Sequence, residues 1–332
     1  MADEIMRNTF EEPPTFESIK TRLLAEFPRE RIEGLDIERV ENFIRQEGLE
    51  VKPFIIFDRK DLPKVRKVVG ATNLLRSVFN NNEGGLYSPE MDLALVVRDE
   101  PLEKLNGAIY TEGLLVHELA HASSMYRGYV TTDYQNFYTP RVGFCLPQNQ
   151  IPWGRLLEEG WAEMHRADYF AQYVPDEEKK KLESVLDEFG SSNMEDTIPI
   201  KASTGKMLPV PIKYVYIIPE GGPIKGGPTI RPSAYAGYAL ELLCKKDPAI
   251  KSLLIEARSS VEGLRRLAQA IERIEPGLYK TLQAGDYTKT GLEEVFSEKL
   301  ATVISSIAGG IENAIIARDR LRRRWDGLLR KW

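Results

Sequence analysis

Two of the three histidines of the chain lie four residues apart in an apolar segment, within the sequence His117-Glu118-Leu119-Ala120-His121. On an α-helix this spacing places both imidazoles on one face, where they can bind one ion while Glu118 reaches a water molecule on it. Residues 113–116 are also apolar apart from a glycine, so the helix is predicted to be buried. Buried imidazoles and carboxylates are costly unless they are paired. The pattern therefore predicts a metal site rather than a purely structural pair of histidines.

A catalytic zinc site has three protein ligands and one position open to water, so a third ligand is expected downstream. His165, Cys145 and Cys244 are each isolated in the sequence. Apolar residues at helical spacing predict a helix over residues 154–173, and this helix carries Glu159 and Glu163 on one face. Like charges at this spacing repel each other unless a cation lies beside them. A zinc ion with its histidines would be such a cation.

The string Glu158-Glu159-Gly160-Trp161-Ala162-Glu163, together with HExxH, resembles the motifs of the gluzincin metallopeptidases, the thermolysin-like and aminopeptidase-like clan. In that clan a glutamate on a second helix completes the zinc site. The resemblance implies that His117, His121 and Glu159 bind Zn²⁺ and that Glu118 is the general base.

The resemblance also assigns a place to the carboxylate four residues after the third ligand. It implies that Glu163 hydrogen-bonds a zinc-binding histidine and fixes the tautomer of its ring. A solvated surface charge is the alternative for Glu163. For Glu158 the surface position is the favoured interpretation.

The reaction implied by the resemblance is peptide-bond hydrolysis. Zinc would polarise a water molecule and the scissile carbonyl, while Glu118 takes a proton from the water and gives it to the leaving amine. The oxyanion needs a further donor, which the clan commonly supplies as Tyr or His from the C-terminal part of the catalytic domain. Residues 233–243 predict a helix whose start resembles the tyrosine-bearing helix of the clan. Tyr235 is the first candidate and Tyr238 the second, with simple packing as the alternative role for either.

The region before the HExxH helix predicts a turn at residues 84–90 and a strand at 91–97. Gluzincins place an edge strand here, and its free backbone groups pair with an extended peptide. The resemblance implies the same role for residues 91–97. The motif Gly-x-Met-Glu-Asn of the aminopeptidase branch does not occur in residues 84–97, which favours an endopeptidase or a peptidase of another cleavage mode.

Hydrophobic periodicity predicts an α+β, mainly helical fold of 332 residues, long enough to bury a large core. Residues 1–50 are expected to form an N-terminal helical extension, and 233–332 a helical C-terminal subdomain. The resemblance implies that 51–232 form a zincin-like catalytic core, with an edge-strand sheet, an active-site helix and an insert at 127–153 built as a loop or β-hairpin. The predicted elements are helices at 15–49, 62–79, 105–126 and 154–173 and strands at 51–57, 91–97 and 206–218.

The distribution of charge along the sequence indicates which classes of partner are expected. A net charge of -5 argues against a nucleic-acid-binding protein, although residues 318–332 are locally basic. Leucines and a tryptophan interleave with these basic residues, which predicts an amphipathic helix. It could dock on its own acidic domain, which is favoured, or on a partner or an anionic membrane surface.

Composition narrows the class of protein further. No apolar run reaches the roughly 18 residues that span a bilayer, and the acidic N-terminus is unlike a secretory signal. Two distant cysteines give no disulfide framework. We therefore expect a cytoplasmic zinc metallopeptidase whose partner is a peptide or protein substrate, with no nucleic acid and no transmembrane segment; the sequence leaves the oligomeric state open.

Two alternatives to a peptidase remain. One is a non-catalytic, zinc-stabilised peptide-binding protein, and the other a hydrolase of a non-peptide amide or ester. Glu118 favours catalysis over the first, because a structural site needs ligands but no base.

Overall fold

Helices dominate the structure, and a small three-stranded sheet lies against them, which confirms the predicted α+β, mainly helical class. The structure is a computed structural model. It describes residues 15–29, 32–69, 84–124, 126–130, 137–142, 144, 146–148, 151–177, 180, 197–201, 207–214, 216–217, 228–229 and 232–284.

The sheet consists of β1 (Phe54–Asp58), β2 (Gly85–Ser88) and β3 (Leu93–Arg98), in the order β1-β3-β2. Strand β3 runs parallel to β1 and antiparallel to β2. Strands β1 and β3 are almost continuously apolar in sequence, as is typical of strands that are covered on both faces.

Side chains alternate between two hydrophobic clusters, one on each face of the sheet. The first cluster receives Ile56 and Val96 and contains most of the helices, including the HExxH helix. The second receives Ile55 and Leu95 and is closed by helices α1 (Phe16–Glu26) and α3 (Leu62–Val69). The sheet is therefore the middle layer between two sets of helices.

The prediction of an edge strand at residues 91–97 is wrong, because β3 is the central strand and β2 is the edge beside the HExxH helix. The glycines at 84 and 85 indicated a turn, but the chain turns only after Ser88. Gly85 is a strand residue at a close approach, a position where strands tolerate glycine. The unbroken apolar run of β3, which fits a buried strand, was the signal that pointed to the centre of the sheet.

The HExxH segment forms α5 (Ile109–Ala122), which is buried around nearly its whole circumference, as predicted. A separate short helix, α4 (Glu100–Asn106), precedes it. The two are divided at Gly107, whose φ of 73° ends α4. The single helix predicted at 105–126 is thus shorter at both ends. The helix predicted at 154–173 is confirmed as α6 (Arg155–Tyr173).

The N-terminal segment predicted to be helical contains α1 and α2 (Ile37–Gln46) with a break between them. Helix α2 is tied to α5 through Glu112, which is 1% exposed. The Glu112 carboxylate accepts hydrogen bonds from Arg39 Nη2 at 2.6 Å and from the Tyr169 hydroxyl of α6 at 2.7 Å. This buried network joins three helices on the side of α5 that faces α2.

The remaining described elements are short strands, which lie before and after α6, and four helices from residue 232 onward. The strands are β4 (Tyr126–Val130), β5 (Phe137–Val142), β6 (Leu146–Gln148), β7 (Ile151–Trp153), β8 (Thr197–Lys201), β9 (Met207–Pro211), β10 (Tyr216–Ile217) and β11 (Pro228–Thr229). The helices are α7 (Pro232–Lys246), α8 (Ala249–Ser259), α9 (Val261–Ile274) and α10 (Leu278–Ala284).

The insert predicted at 127–153 contains two antiparallel pairs, β4 with β5 and β6 with β7. The basic helix predicted at 318–332 and residues 70–79 of the helix predicted at 62–79 lie outside the described residues. Across the ranges that the structure describes, we find no helix with both the length and the apolar character needed to cross a bilayer.

Helices α6 and α7 approach each other closely at Gly160. A Cβ atom added there would lie 2.8 Å from the backbone carbonyl carbon of Ala236, closer than real Cβ contacts. Gly237 has the same function on α7, since its Cβ would lie 3.1 Å from the Glu163 Cβ. Gly160, which belongs to the sequence motif, thus brings α7 against the helix that carries Glu159.

We predict that Gly160→Ala destabilises the protein by about 1–3 kcal/mol, because the added methyl group forces α6 and α7 apart. In an unhindered helix the same substitution would stabilise by about 1 kcal/mol. Denaturant unfolding should show the loss. Ser252→Ala, at an exposed position of α8, is the control and should change stability little. Equal or greater stability of Gly160→Ala would contradict the close packing.

Candidate metal centre

Three potential ligand atoms from α5 and α6 converge on one point. His117 Nε2 lies 3.1 Å from His121 Nε2, and Glu159 Oε2 lies 3.5 Å from the first and 3.7 Å from the second. These residues form the one group of His, Cys, Asp and Glu side chains among the described residues that has the spacing of a metal site. The structure thus brings together the three residues that the sequence predicts as ligands.

The separations fit the donor set of a zinc ion. Tetrahedral bonds of the length that zinc makes to nitrogen and oxygen place neighbouring ligand atoms about 3.3 Å apart. The three observed separations, 3.1, 3.5 and 3.7 Å, lie close to that value. Two imidazoles and one carboxylate also match the chemistry of a catalytic zinc site, which has three protein ligands.

The carboxylate of Glu163 lies behind His117, with Oε2 3.2 Å from the Nδ1 atom of the ring. Glu163 is fully buried, so it is not a solvated surface charge. Its other oxygen, Oε1, accepts a hydrogen bond from Arg166 Nε at 2.8 Å. This ion-pair contact leaves the Nε2 atom of His117 directed at the candidate site, and the hydrogen bond expected for Glu163 stays a prediction.

The expectation that Glu158 lies at the surface is wrong, since this residue is 5% exposed and contacts the second histidine. Glu158 Oε1 lies 3.2 Å from His121 Nδ1 and accepts a hydrogen bond from the Ser124 hydroxyl at 2.5 Å. Its Oε2 accepts a hydrogen bond from the backbone N–H of Phe144 at 3.0 Å. Each histidine of the site therefore has its own buried carboxylate on the side away from the other ligands.

Sequence reasoning missed two arginines near these carboxylates. Arg166 follows Glu163 by three residues on one helix, a spacing at which an ion pair can be read from the sequence. Arg258 comes from α8, about a hundred positions along the chain, and no sequence signal connects it with the site. Its guanidinium donates to Ser124 Oγ and to the carbonyl oxygen of Ala120, both at 2.5 Å.

The pKa values of the metal-free site reflect close pairing of opposite charges. Burial alone would lower the pKa of His121, but hydrogen bonds to Glu158 and Glu159 outweigh it and raise the pKa to about 10. The pKa of His117 is raised as well, against burial, by Glu159 and Glu163. Burial would raise the pKa of Glu159, yet both histidines hold it well below its usual range. Without metal, both pKa values are therefore shifted in the direction that favours protonation, and a cation would compete with protons for the two rings.

Glu118, the predicted base, is 6% exposed and lies against the edge strand β2. A Cβ atom at Gly85 would approach the Glu118 Oε1 atom to 2.7 Å. Only glycine leaves room for the carboxylate at this point of the strand. The structure thus places the Glu118 side chain between the HExxH helix and the strand edge.

Three other residues considered from the sequence are Tyr235, Tyr238 and His165. Tyr235 lies in α7, as predicted, but its side chain is outside the described residues. Tyr238 is buried in the core, with its ring centroid 6.0 Å from that of Tyr214. His165 points away from the candidate metal centre, and its Nδ1 lies 3.4 Å from Glu47 Oε2. His165 is not a member of the group formed by His117, His121 and Glu159.

We predict that the metal-free protein loses stability as the pH rises from 6.5 to about 10. The pKa of His121 is raised from 6.5 to about 10 on folding, so its imidazolium contributes stability that is fully present below 6.5 and lost as the pH approaches about 10. Thermal unfolding of chelator-treated protein should show a falling midpoint over this range. His121→Gln should have a flatter profile, and identical slopes for the two proteins would contradict the pairing.

Comparison with protein-family models, curated proteins and solved structures finds no match for this chain. The likeness to gluzincins therefore depends on the motifs at residues 117–121 and 158–163 alone. A function for the chain has to be inferred from the chemistry of the site.

Proposed function

We propose that this protein is a zinc-dependent peptidase of the gluzincin type, with a zincin-like core, and that His117, His121 and Glu159 bind the metal. The observation that carries the proposal is the convergence of these three donors, with the buried Glu118 next to His117 on α5. The residues behind the donors support it, because both histidines have carboxylate partners at their Nδ1 atoms.

The residues of the chain would divide the reaction between them. A bound zinc ion would supply Lewis-acid polarisation of a water molecule and of the scissile carbonyl. Glu118 would take the proton from the attacking water and deliver it to the leaving amine. Tyr235, near the start of α7, is our candidate donor to the developing oxyanion. Glu163 would keep the His117 ring in the orientation that binding requires.

An extended peptide is the substrate that the sheet favours. Strand β2 pairs with β3 on one side, and no described strand pairs with its other edge. Free N–H and C=O groups on such an edge can pair with the backbone of a peptide. Because Gly85 of this strand touches Glu118, a peptide added there would run beside the proposed base. This geometry favours peptide hydrolysis over hydrolysis of a small amide.

We predict that Glu118→Gln strongly reduces hydrolysis and retains zinc. Loss of the base should reduce turnover by about 100- to 10,000-fold, while the metal ligands remain. A peptide library digested with and without chelator, with zinc content measured on each protein, tests this. Glu262→Gln, an exposed position of α9, is the control and should stay active. Zinc-loaded wild-type protein that cleaves no peptide would instead favour a non-catalytic peptide-binding role.

We also predict that Gly85→Ala lowers turnover without loss of zinc. The added methyl group would lie within 2.7 Å of Glu118 Oε1 and must displace the carboxylate. The φ of Gly85 is not in the left-handed region, so alanine introduces no backbone strain there. Steady-state kinetics on a peptide substrate, with zinc content as the control, measure the effect. Full activity of Gly85→Ala would show that Glu118 does not depend on this contact.

A further inference from the structure

We infer that Arg258, Ser124 and Glu158 form a hydrogen-bonded relay that positions His121 as a ligand. The inference rests on the proposed function, because it takes His121 to be a zinc ligand. It adds a group from the distant helix α8 to the residues on which the metal site depends.

The relay is inferred by matching each donor hydrogen with an acceptor atom. Arg258 can only donate, and it donates to Ser124 Oγ from Nη2 at 2.5 Å and from Nε at 3.2 Å. The hydroxyl then has its single proton left, and this is donated to Glu158 Oε1 at 2.5 Å. The same oxygen lies 3.2 Å from His121 Nδ1, which carries a proton when Nε2 binds a metal. Arg258 Nε and Nη2, the Ser124 hydroxyl and His121 Nδ1 therefore each have an acceptor within the relay.

The second oxygen of Glu158 is also occupied, which fixes the carboxylate plane. It accepts the backbone N–H of Phe144 at 3.0 Å, and Phe144 itself is 1% exposed. Held at both oxygens, Glu158 cannot turn without breaking a buried hydrogen bond. It can therefore hold the His121 ring in one orientation.

Arg258 is held firmly enough to act as the fixed end of the relay. It is 4% exposed, and its guanidinium carbon lies 4.7 Å from the centre of the Trp161 ring on α6. Its Nη2 also donates to the carbonyl oxygen of Ala120 in the last turn of α5. A cation at this end of the helix complements the helix dipole. Arg258 thus joins α8 to both helices of the candidate metal centre.

The arrangement at His121 matches the one at His117, although it is built from different parts of the chain. At His117 the carboxylate of Glu163 is held by Arg166 three residues away on α6. At His121 the carboxylate of Glu158 is held by an arginine from α8 through a serine. Of the two sets, the second takes its arginine from a C-terminal helix, α8.

The test compares zinc affinity in Glu158→Gln, Ser124→Ala and Arg258→Lys with wild type. Competition with a chromophoric chelator gives the zinc dissociation constant, and the absorption spectrum of Co²⁺-loaded protein reports ligand geometry. We expect affinity to weaken by about 10- to 100-fold in all three and the Co²⁺ bands to shift. Ser124→Ala is the most telling variant, because the bond between Arg258 and the Ala120 carbonyl can persist in it.

Arg39→Lys is the matched control, since Arg39 pairs with buried Glu112 on α5 away from the ligands. It should lower the melting temperature and leave zinc affinity unchanged. If the relay variants behave like this control, losing stability but no affinity, the inference is overturned even in a protein that cleaves peptides. If zinc affinity falls in the relay variants and not in the control, the inference holds. This is so even if the wild-type protein cleaves no peptide, because that result would refute only the proposed function.

Discussion

The contact between α5 and α6 depends on mutual neutralisation of buried ionisable groups. A buried charge without a partner costs several kcal/mol, so none of these side chains would be stable there alone. Four buried or nearly buried carboxylates, at 118, 158, 159 and 163, lie near two buried arginines, at 166 and 258. With all four ionised, these six residues carry two negative charges, and the more exposed Arg155, whose Nε lies 3.6 Å from Glu159 Oε1, adds one positive charge. A cation would offset the remaining negative charge, and in the metal-free protein the carboxylates raise the pKa values of both histidines against the effect of burial.

Glycines determine how closely the surrounding elements approach this group of charges. Gly160 admits the backbone of α7 against α6, and Gly85 admits the Glu118 carboxylate against β2. Gly113 similarly lies against the side chain of Arg166, with its Cβ position 3.3 Å from Cγ. Each of these contacts brings a charged residue or its helix into a position that a larger side chain would block. The close packing of these charged residues therefore depends on the glycines that face them.

Sequence predicted those parts of the site whose geometry is set within one helix. His117 and His121 share a face because of their spacing, and Glu159 and Glu163 do so for the same reason. The sequence does not predict that Glu158 is buried, because this burial depends on Ser124 and Arg258. These two residues come from other elements and leave no periodic signal. The sequence does not identify β2 as the edge strand, for a related reason. A glycine in a strand and a glycine in a turn look alike until the partner that approaches it, here Glu118, is known.

The space beside Gly85 for the Glu118 side chain supports the proposed catalytic site over a purely structural one. A site that only holds a metal needs its three ligands and the groups that orient them, and Glu118 is neither. Keeping glycine in β2 costs about 0.5–1 kcal/mol relative to a residue with a side chain. That cost gives no benefit to metal binding, since the crowded atom belongs to Glu118 and not to a ligand. Residues that lower local stability are expected at functional sites. The glycine opposite Glu118 therefore agrees with the role proposed for this carboxylate beside the edge of β2.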